Sequence, residues 1–403
     1  MIGSGIYLLP ATLAPLGWNQ MLGWLVTIAG ALALGLVFAR LGARLPLAGG
    51  PYAYAHEAFG PLAGFATAWS YWVMIWAGNG AIAVAVVSNV SLIFPAIGKT
   101  QGLPALLVVG CVWLLTLVNI IGVREASRVQ QVTTLLKLLP LVLLIALALW
   151  LFASGAPRAP DPGVPLTGHA IANAAGLTFW GFLGLESATV PADKVDDPRR
   201  TVPRATLIGV VLSGLVYLGI SLAFALYMPM AEAAASPAPV AALLGKYFGA
   251  GIAGAVALFA AISAFGTLNG FILLQGEVPR AMARGGVFPA WLGVDGSRGT
   301  PARAHVLSSV LLTVVALLNY QKGMGDLFAF IASVSLAAGM LSYLMSALAA
   351  VRLQPDDLPF AAVALGAAAF TLWASWGLGP QALAYGAVLV VAGLPVYWWV
   401  RRR

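Results

Sequence analysis

Charge is scarce in this sequence: Asp, Glu, Lys and Arg make up 8% of its 403 residues, where a soluble globular domain carries about 25%. With 61% hydrophobic residues, such a chain would aggregate in water unless lipid covered most of it. No polar stretch is long enough to fold alone, so 1–403 reads as a single transmembrane domain. Cys111 is the only cysteine, which excludes an intrachain disulfide; inside the apolar run Leu106 to Leu117 it is expected to be a buried small hydrophobe. The three histidines, His56, His169 and His305, fall at predicted loop edges rather than together in the membrane. No metal-ligand spacing or phosphate loop accompanies them, and no nucleophile has a base at hand. The expectation is therefore no enzyme, no metal and no cofactor. The basic region of a cleavable signal peptide is missing ahead of the first apolar run. A net charge of +8 does not point to nucleic acid, because the basic residues are scattered over many loops.

Long apolar runs are what the chain does have. A membrane-spanning helix needs roughly 20 apolar residues, and the runs lie near 21–39, 62–94, 104–122, 134–153, 170–190, 204–228, 248–275, 304–319, 325–351, 359–377 and 380–399. A first, short segment covers about Met1 to Pro15, which makes about twelve helices. The expected fold is thus an all-α membrane protein. The run at 62–94 is long enough to tilt, or to span and then follow the surface.

Charge placement tests that count. Positive residues collect in cytoplasmic loops. Loops after even-numbered runs, with the tail, hold Arg40, Arg44, Arg124, Arg128, Lys137, Lys194, Arg199, Arg200, Arg204, Arg280, Arg284, Arg298, Arg303, Arg352 and Arg401 to Arg403. These are 17 of the 21 Lys and Arg residues. A wrong count would scramble this parity, so the even loops and the C-terminus are expected on the cytoplasmic side of the cell membrane. Tyr397, Trp398 and Trp399 beside the arginine tail read as an interfacial belt.

Two runs are defective as helices. The first opens with Gly3-Ser4-Gly5, and the sixth carries Trp180-Gly181-Phe182-Leu183-Gly184. Each glycine weakens a helix by roughly 1 kcal/mol, and both segments run toward a proline, Pro10 and Pro191. The two enter from opposite sides, and interrupted spans in matching positions of two inverted halves point to a transporter binding site; close helix packing is the bland alternative. Unwound backbone must face protein, water or ligand. Its N–H groups attract a carboxylate and its carbonyls accept from an ammonium, which suits an amino acid or its decarboxylated amine. Glu186 is the one acidic residue well inside an apolar run, a functional position by default, as proton carrier, gate or cation partner. Against that stands a carboxylate satisfied at a half-helix start. Asn79, between Gly78 and Gly80, reads equally as a ligand contact or an interhelical hydrogen bond. Trp180 abuts the break, where its ring is placed to stack on a cation or close over it. Nothing resembles a channel's filter segment or charged ring.

The opening Gly3-Ser4-Gly5-Ile6, followed by Leu9-Pro10, resembles the first-helix signature of the amino acid–polyamine–organocation superfamily. Pro46-Leu47-Ala48-Gly49-Gly50-Pro51-Tyr52-Ala53-Tyr54, then Phe59-Gly60, is similar to its loop between helices 2 and 3. Trp180 through Gly184, Glu186-Ser187, Asp197-Pro198-Arg199-Arg200 and Val202-Pro203 resemble the sixth helix and following loop of the basic amino acid and polyamine antiporters, most of all the bacterial arginine/agmatine type.

The resemblance implies a five-plus-five inverted repeat (about 1–153 and 165–352) with broken helices 1 and 6 and two extra helices (about 359–399). It implies exchange of an amino acid for an amine by alternating access, and in many members a homodimer. The match starts at Gly-Ser-Gly, so the first half of helix 1 is expected to be missing. By the same resemblance Met1, Ser4 and the Gly3 and Gly5 backbone fall on the substrate site, with Met74, Ile75, Asn79 and Ile82 from helix 3. Trp180 falls on the middle gate, with Gly181 and Leu183 beside it. Tyr71, Glu186, Phe328 and Tyr343 fall on gate positions, and Phe271 and Ser335 on further contacts. Phe271 offers cations a weaker face than tryptophan, Met74 and Ile75 replace smaller residues, and Gly181 removes a hydroxyl. These departures keep arginine within reach and admit a smaller or less polar amino acid. A proton-coupled uptake permease on the same scaffold remains the second reading, and a channel the third.

Overall fold

A computed structural model describes residues 3, 5–45, 49–122, 126–186, 197–319 and 321–402. In hydrocarbon a backbone pairs its own polar groups by forming helices, and among the described residues there is no strand. In chain order the helices are α1 Leu9–Leu13, α2 Asn19–Arg44, α3 Pro51–Phe59, α4 Pro61–Ile93, α5 Ala96–Lys99 and α6 Leu103–Ile121. There follow α7 Ala126–Ala153, α8 Gly168–Phe179, α9 Pro198–Tyr227, α10 Met230–Ala235, α11 Pro239–Phe248 and α12 Ala250–Arg284. The last five are α13 Ala302–Leu318, α14 Met324–Leu353, α15 Leu358–Gly377, α16 Pro380–Val391 and α17 Gly393–Arg401. Eight helical stretches among the described residues are long and apolar enough to cross a membrane, and Leu138–Ala153 and Ala302–Leu318 are shorter apolar helices. The protein is thus an all-α membrane protein, and each apolar run after the first except the sixth coincides with a helix or a helix pair.

The run at 62–94 is one continuous 33-residue helix, α4, about 50 Å long at 1.5 Å per residue. It starts where Gly60 turns the chain at φ 84 and Pro61 takes the first helical position, a place that has no use for an N–H. Of its apolar stretch 94% is buried, against 28% for α6 and 17% for α16 with α17. α4 is therefore the central post and α6 a peripheral one. This explains Cys111, which is half-buried rather than buried. Tyr397 likewise leaves the expected belt: it turns inward against Phe65, with ring centroids 5.1 Å apart, while Trp398 and Trp399 stay exposed.

Small residues and hydroxyls let the helices approach, as expected where lipid tails offer no hydrophobic drive. Against α14, Ser70 Oγ donates to the Ala338 carbonyl at 2.6 Å and Ser335 Oγ to the Met74 carbonyl at 2.8 Å. Met74 fills the notch at Gly339, where a Cβ would run into its side chain. Between α2 and α8, Thr27 and Thr178 share a hydrogen bond of 2.7 Å. Buried Asn19 ties the start of α2 to the segment before α8: its Nδ2 donates to Leu16 and Pro165, and its Oδ1 accepts from the Thr167 N–H. His305, placed by the sequence at a loop edge, is fully buried in the first turn of α13 with its ring against Gly276.

Gly377 sits where α15 meets α8: its carbonyl accepts from Asn173 at 2.8 Å, and a Cβ there would run into the Ala172 carbonyl. Gly366 on the same helix is exposed with nothing near. Gly377→Ala should lose about 1–3 kcal/mol by overpacking. Gly366→Ala should be neutral or gain up to about 1 kcal/mol. Thermal unfolding of the two variants in detergent checks the contrast.

Candidate functional site

The sixth run breaks as its glycines predict. α8 ends at Phe179, Trp180–Phe182 form a 3-10 turn, Leu183 is extended at ψ 135, and Gly184 takes a φ of 92. That φ is left-handed, a region where a side chain is strained. In the first segment Gly5–Tyr7 is likewise a 3-10 turn, ahead of the short α1. Met1, Ser4 and Ser187 lie outside the described residues, and Gly3 is half-buried.

The two breaks meet. A Cβ on Gly5 would stand 2.6 Å from Trp180 Cδ1, and one on Gly78 would stand 3.1 Å from Trp180 Cη2 and 3.1 Å from Ser335 Oγ. Two glycines, one from the first break and one from α4, thus form the slot in which the indole lies. Phe328 closes its edge, centroids 6.2 Å apart at 84°. Trp180 is 6% exposed, so the ring is buried between the two segments.

The structure also shows what holds the break, which the sequence reading missed. Tyr217 Oη donates to the Gly181 carbonyl at 2.8 Å, so one carbonyl expected to face a ligand already has a donor. A Cβ on Gly181 would lie 2.9 Å from the Tyr217 ring and 3.4 Å from Trp24. Trp24, Phe182 and Tyr217 wrap the turn with mutual centroid distances of 5.1 to 6.2 Å. The only sequence trace of this cradle is the pairing of Gly181 with distant aromatics.

Beyond the break Glu186 is 2% exposed and doubly bound. Tyr71 Oη on α4 donates to its Oε1 at 3.1 Å, and Tyr343 Oη on α14 donates to its Oε2 at 2.8 Å. Three of the side chains expected at gate positions, Tyr71, Glu186 and Tyr343, therefore form one cluster, while Phe328 lies against Trp180. Around it stack Phe179 and Phe38, 5.2 and 6.0 Å from Tyr343. An acid with a donor on each oxygen ties three elements together, and separating them breaks at least one of these bonds.

Asn79 turns toward α12. Its Nδ2 donates to Gln275 Oε1 at 2.7 Å, Gln275 Nε2 donates to Ser309 Oγ at 2.9 Å, and Ser309 shares a 2.7 Å bond with Thr116. Gln275 also accepts at its backbone from Ser308, which takes the Trp72 Nε1–H. This chain through α4, α12, α13 and α6 occupies the amide of Asn79 and leaves its Oδ1 buried without a partner among the described residues. Gln275 was missed; its polarity inside an apolar run was the available signal. Phe271, one turn ahead of Gln275, is half-buried and makes no ring pair among the described residues. Ile75 and Ile82 are buried on α4. The Met74 side chain packs on α14, and its carbonyl meets Ser335. Leu183 follows the turn, half-buried.

A family model described as amino acid permease matches residues 1–396. Over 362 residues the chain is 35% identical to a cadaverine/lysine antiporter of Escherichia coli strain K12, covering 88% of this chain and 81% of that protein. It is 31% identical over 383 residues to a putative arginine/ornithine antiporter of Bacillus subtilis, covering 87% and 81%. Over 408 residues it is 28% identical to a putrescine transporter of Haemophilus influenzae, covering 99% and 94%.

Removing one phenol leaves a buried carboxylate oxygen without its donor, a cost of about 1–3 kcal/mol. Tyr343→Phe and Tyr71→Phe should each lower the unfolding midpoint in detergent, and the double variant should lower it further. A midpoint unmoved in both would mean that the cluster holds nothing together.

Proposed function

This chain belongs to the amino acid permease family, and from that premise we propose that it exchanges an amino acid for a related amine across the bacterial inner membrane by alternating access. The observation that carries the reading is the contact of the two breaks, with Trp180 slotted between Gly5 and Gly78. Backbone groups of Gly3, Gly5, Gly181 and Leu183 receive the α-carboxylate and ammonium. The open Oδ1 of Asn79 supplies an acceptor for a cationic donor, and Phe271 supplies a ring face. Trp180 and Phe328 cover the bound substrate, and the Tyr71–Glu186–Tyr343 cluster closes the basic side. The scaffold is an inverted repeat of about 1–153 and 165–352 with two added helices. The basic loops and the C-terminus lie in the cytoplasm, and the unit assembles as a homodimer.

The relatives named for lysine, arginine, ornithine, cadaverine and putrescine support a cationic amino acid against its decarboxylated product; arginine with agmatine is one such pair. Proteoliposomes loaded with each amine and supplied with each labelled amino acid test this. Exchange that requires the internal partner supports the reading, and failure of every pair refutes it. Uptake into empty vesicles driven by a pH gradient would instead favour the proton-coupled permease, for which buried Glu186 is the observation.

Trp180→Phe, which keeps a ring in the slot, and Trp180→Ala should both lose most exchange per folded molecule; unchanged rates would remove the indole from the mechanism. Glu186→Gln should shift the pH profile of exchange. A profile that stays put would leave the acid as a structural tie.

A further inference from the structure

At the basic end of the bundle α2, α9 and α15 part to leave a groove of about 490 Å³, within the ~300–1,000 Å³ typical of small-molecule sites. Its origin is visible along the helices. Deeper in the bilayer α2 is pressed against both neighbours: a Cβ on Gly35 would stand 3.5 Å from Thr206 and Val210 of α9, and one on Gly30 would run into the Phe370 ring of α15. Toward the basic end the groove is lined in part by the small side chains of Ala39, Ala43 and Pro203. The walls are Leu36, Ala39, Ala43, Leu207, Phe360 and Val363. The face around the groove is lipid-exposed, with Leu36 41%, Ile208 57% and Leu358 75% accessible.

One charge in the groove is spent. Arg40 pairs with Asp357, the residue that also caps α15 through the Phe360 N–H, and its guanidinium lies 4.5 Å above the Phe360 ring. That pair is neutral and fixed, and it forms part of the wall. Two further arginines directly follow lining residues in sequence, Arg44 after Ala43 and Arg204 after Pro203. Arg44 is one turn beyond Arg40 on the same α2 stripe. Arg204 follows Pro203 and precedes Leu207 by three residues on α9. Both are exposed, and neither forms an ion pair with another described residue. An apolar slot open to lipid, flanked by two exposed guanidinium groups that have no ion pair among the described residues, matches one kind of molecule: an acyl chain carrying a negatively charged phosphate head. A zwitterionic head would bring its own ammonium to the same arginines, and a soluble protein segment does not reach an apolar wall inside the bilayer.

We propose that this groove is a binding site for an anionic phospholipid of the leaflet on the basic side, with one acyl chain between Leu36, Leu207 and Val363 and the phosphate held by Arg44 and Arg204. Anionic lipid heads attract basic residues at the interface and zwitterionic ones do not, so the site discriminates by head charge. Such a lipid wedges α2 to α9 and α15 at the end opposite their close contacts.

The test uses the full chain purified in detergent, with native mass spectrometry and thermal unfolding in the presence of phosphatidylglycerol or phosphatidylcholine. The expected result is retention of one phosphatidylglycerol at least fivefold better than phosphatidylcholine, with a raised unfolding midpoint. Arg44→Gln with Arg204→Gln should abolish that preference and leave the midpoint in lipid-free detergent unchanged, because both side chains are exposed. Val363→Trp, which fills the slot and keeps the arginines, should lose the lipid as well. The proposal is overturned if the two lipids bind equally, or if the arginine variant retains phosphatidylglycerol. It is also overturned if inorganic phosphate displaces the lipid at equal concentration, or if a cysteine at position 36 cross-links two copies through this face.

Discussion

In hydrocarbon an unpaired backbone amide or carbonyl costs several kcal/mol, and this chain nevertheless interrupts two helices within its core. The interruption is held by side chains that take over the pairing. Tyr217 donates to the Gly181 carbonyl, and the indole of Trp180 fills the space that Gly5 and Gly78 leave open. The rest of the bundle supports this arrangement. The buried post α4 runs past the break and gives Gly78 to the slot and Tyr71 to the acid beyond it.

Glu186 shows how an expensive group becomes a structural tie. A carboxylate in the core is tolerated when its oxygens are hydrogen-bonded, and here a phenol from each of two helices supplies the donors. The arrangement makes the acid the meeting point of the segment after the break, α4 and α14. Whatever separates these elements has to give up a buried hydrogen bond.

Polar side chains do the same service elsewhere at lower cost. The relay from Asn79 through Gln275 and Ser309 to Thr116 crosses four helices, and each member finds its partner only because the others hold still. Close packing depends on glycine at the same interfaces: at Gly339 a Cβ would meet Met74, and at Gly377 it would meet the Ala172 carbonyl.

The all-α membrane class, the two breaks and the singling out of Glu186 were legible in the amino-acid order. They depend on properties local to a segment: the transfer energy of each side chain and the weakness of glycine in a helix. Other facts required the tertiary structure. Glu186 meets Tyr71 and Tyr343, which are 115 and 157 residues away. Gly181 rests on Tyr217, and Asn79 turns to Gln275, 196 residues on. Cys111 lies half-buried where its apolar run suggested full burial, and His305, at the edge of α13, is fully buried. Hydropathy tells that a helix is in the membrane and is blind to which of its faces meets protein. Only the packing of helices distant in sequence decides that, and with it which polar atoms are paired and which remain open.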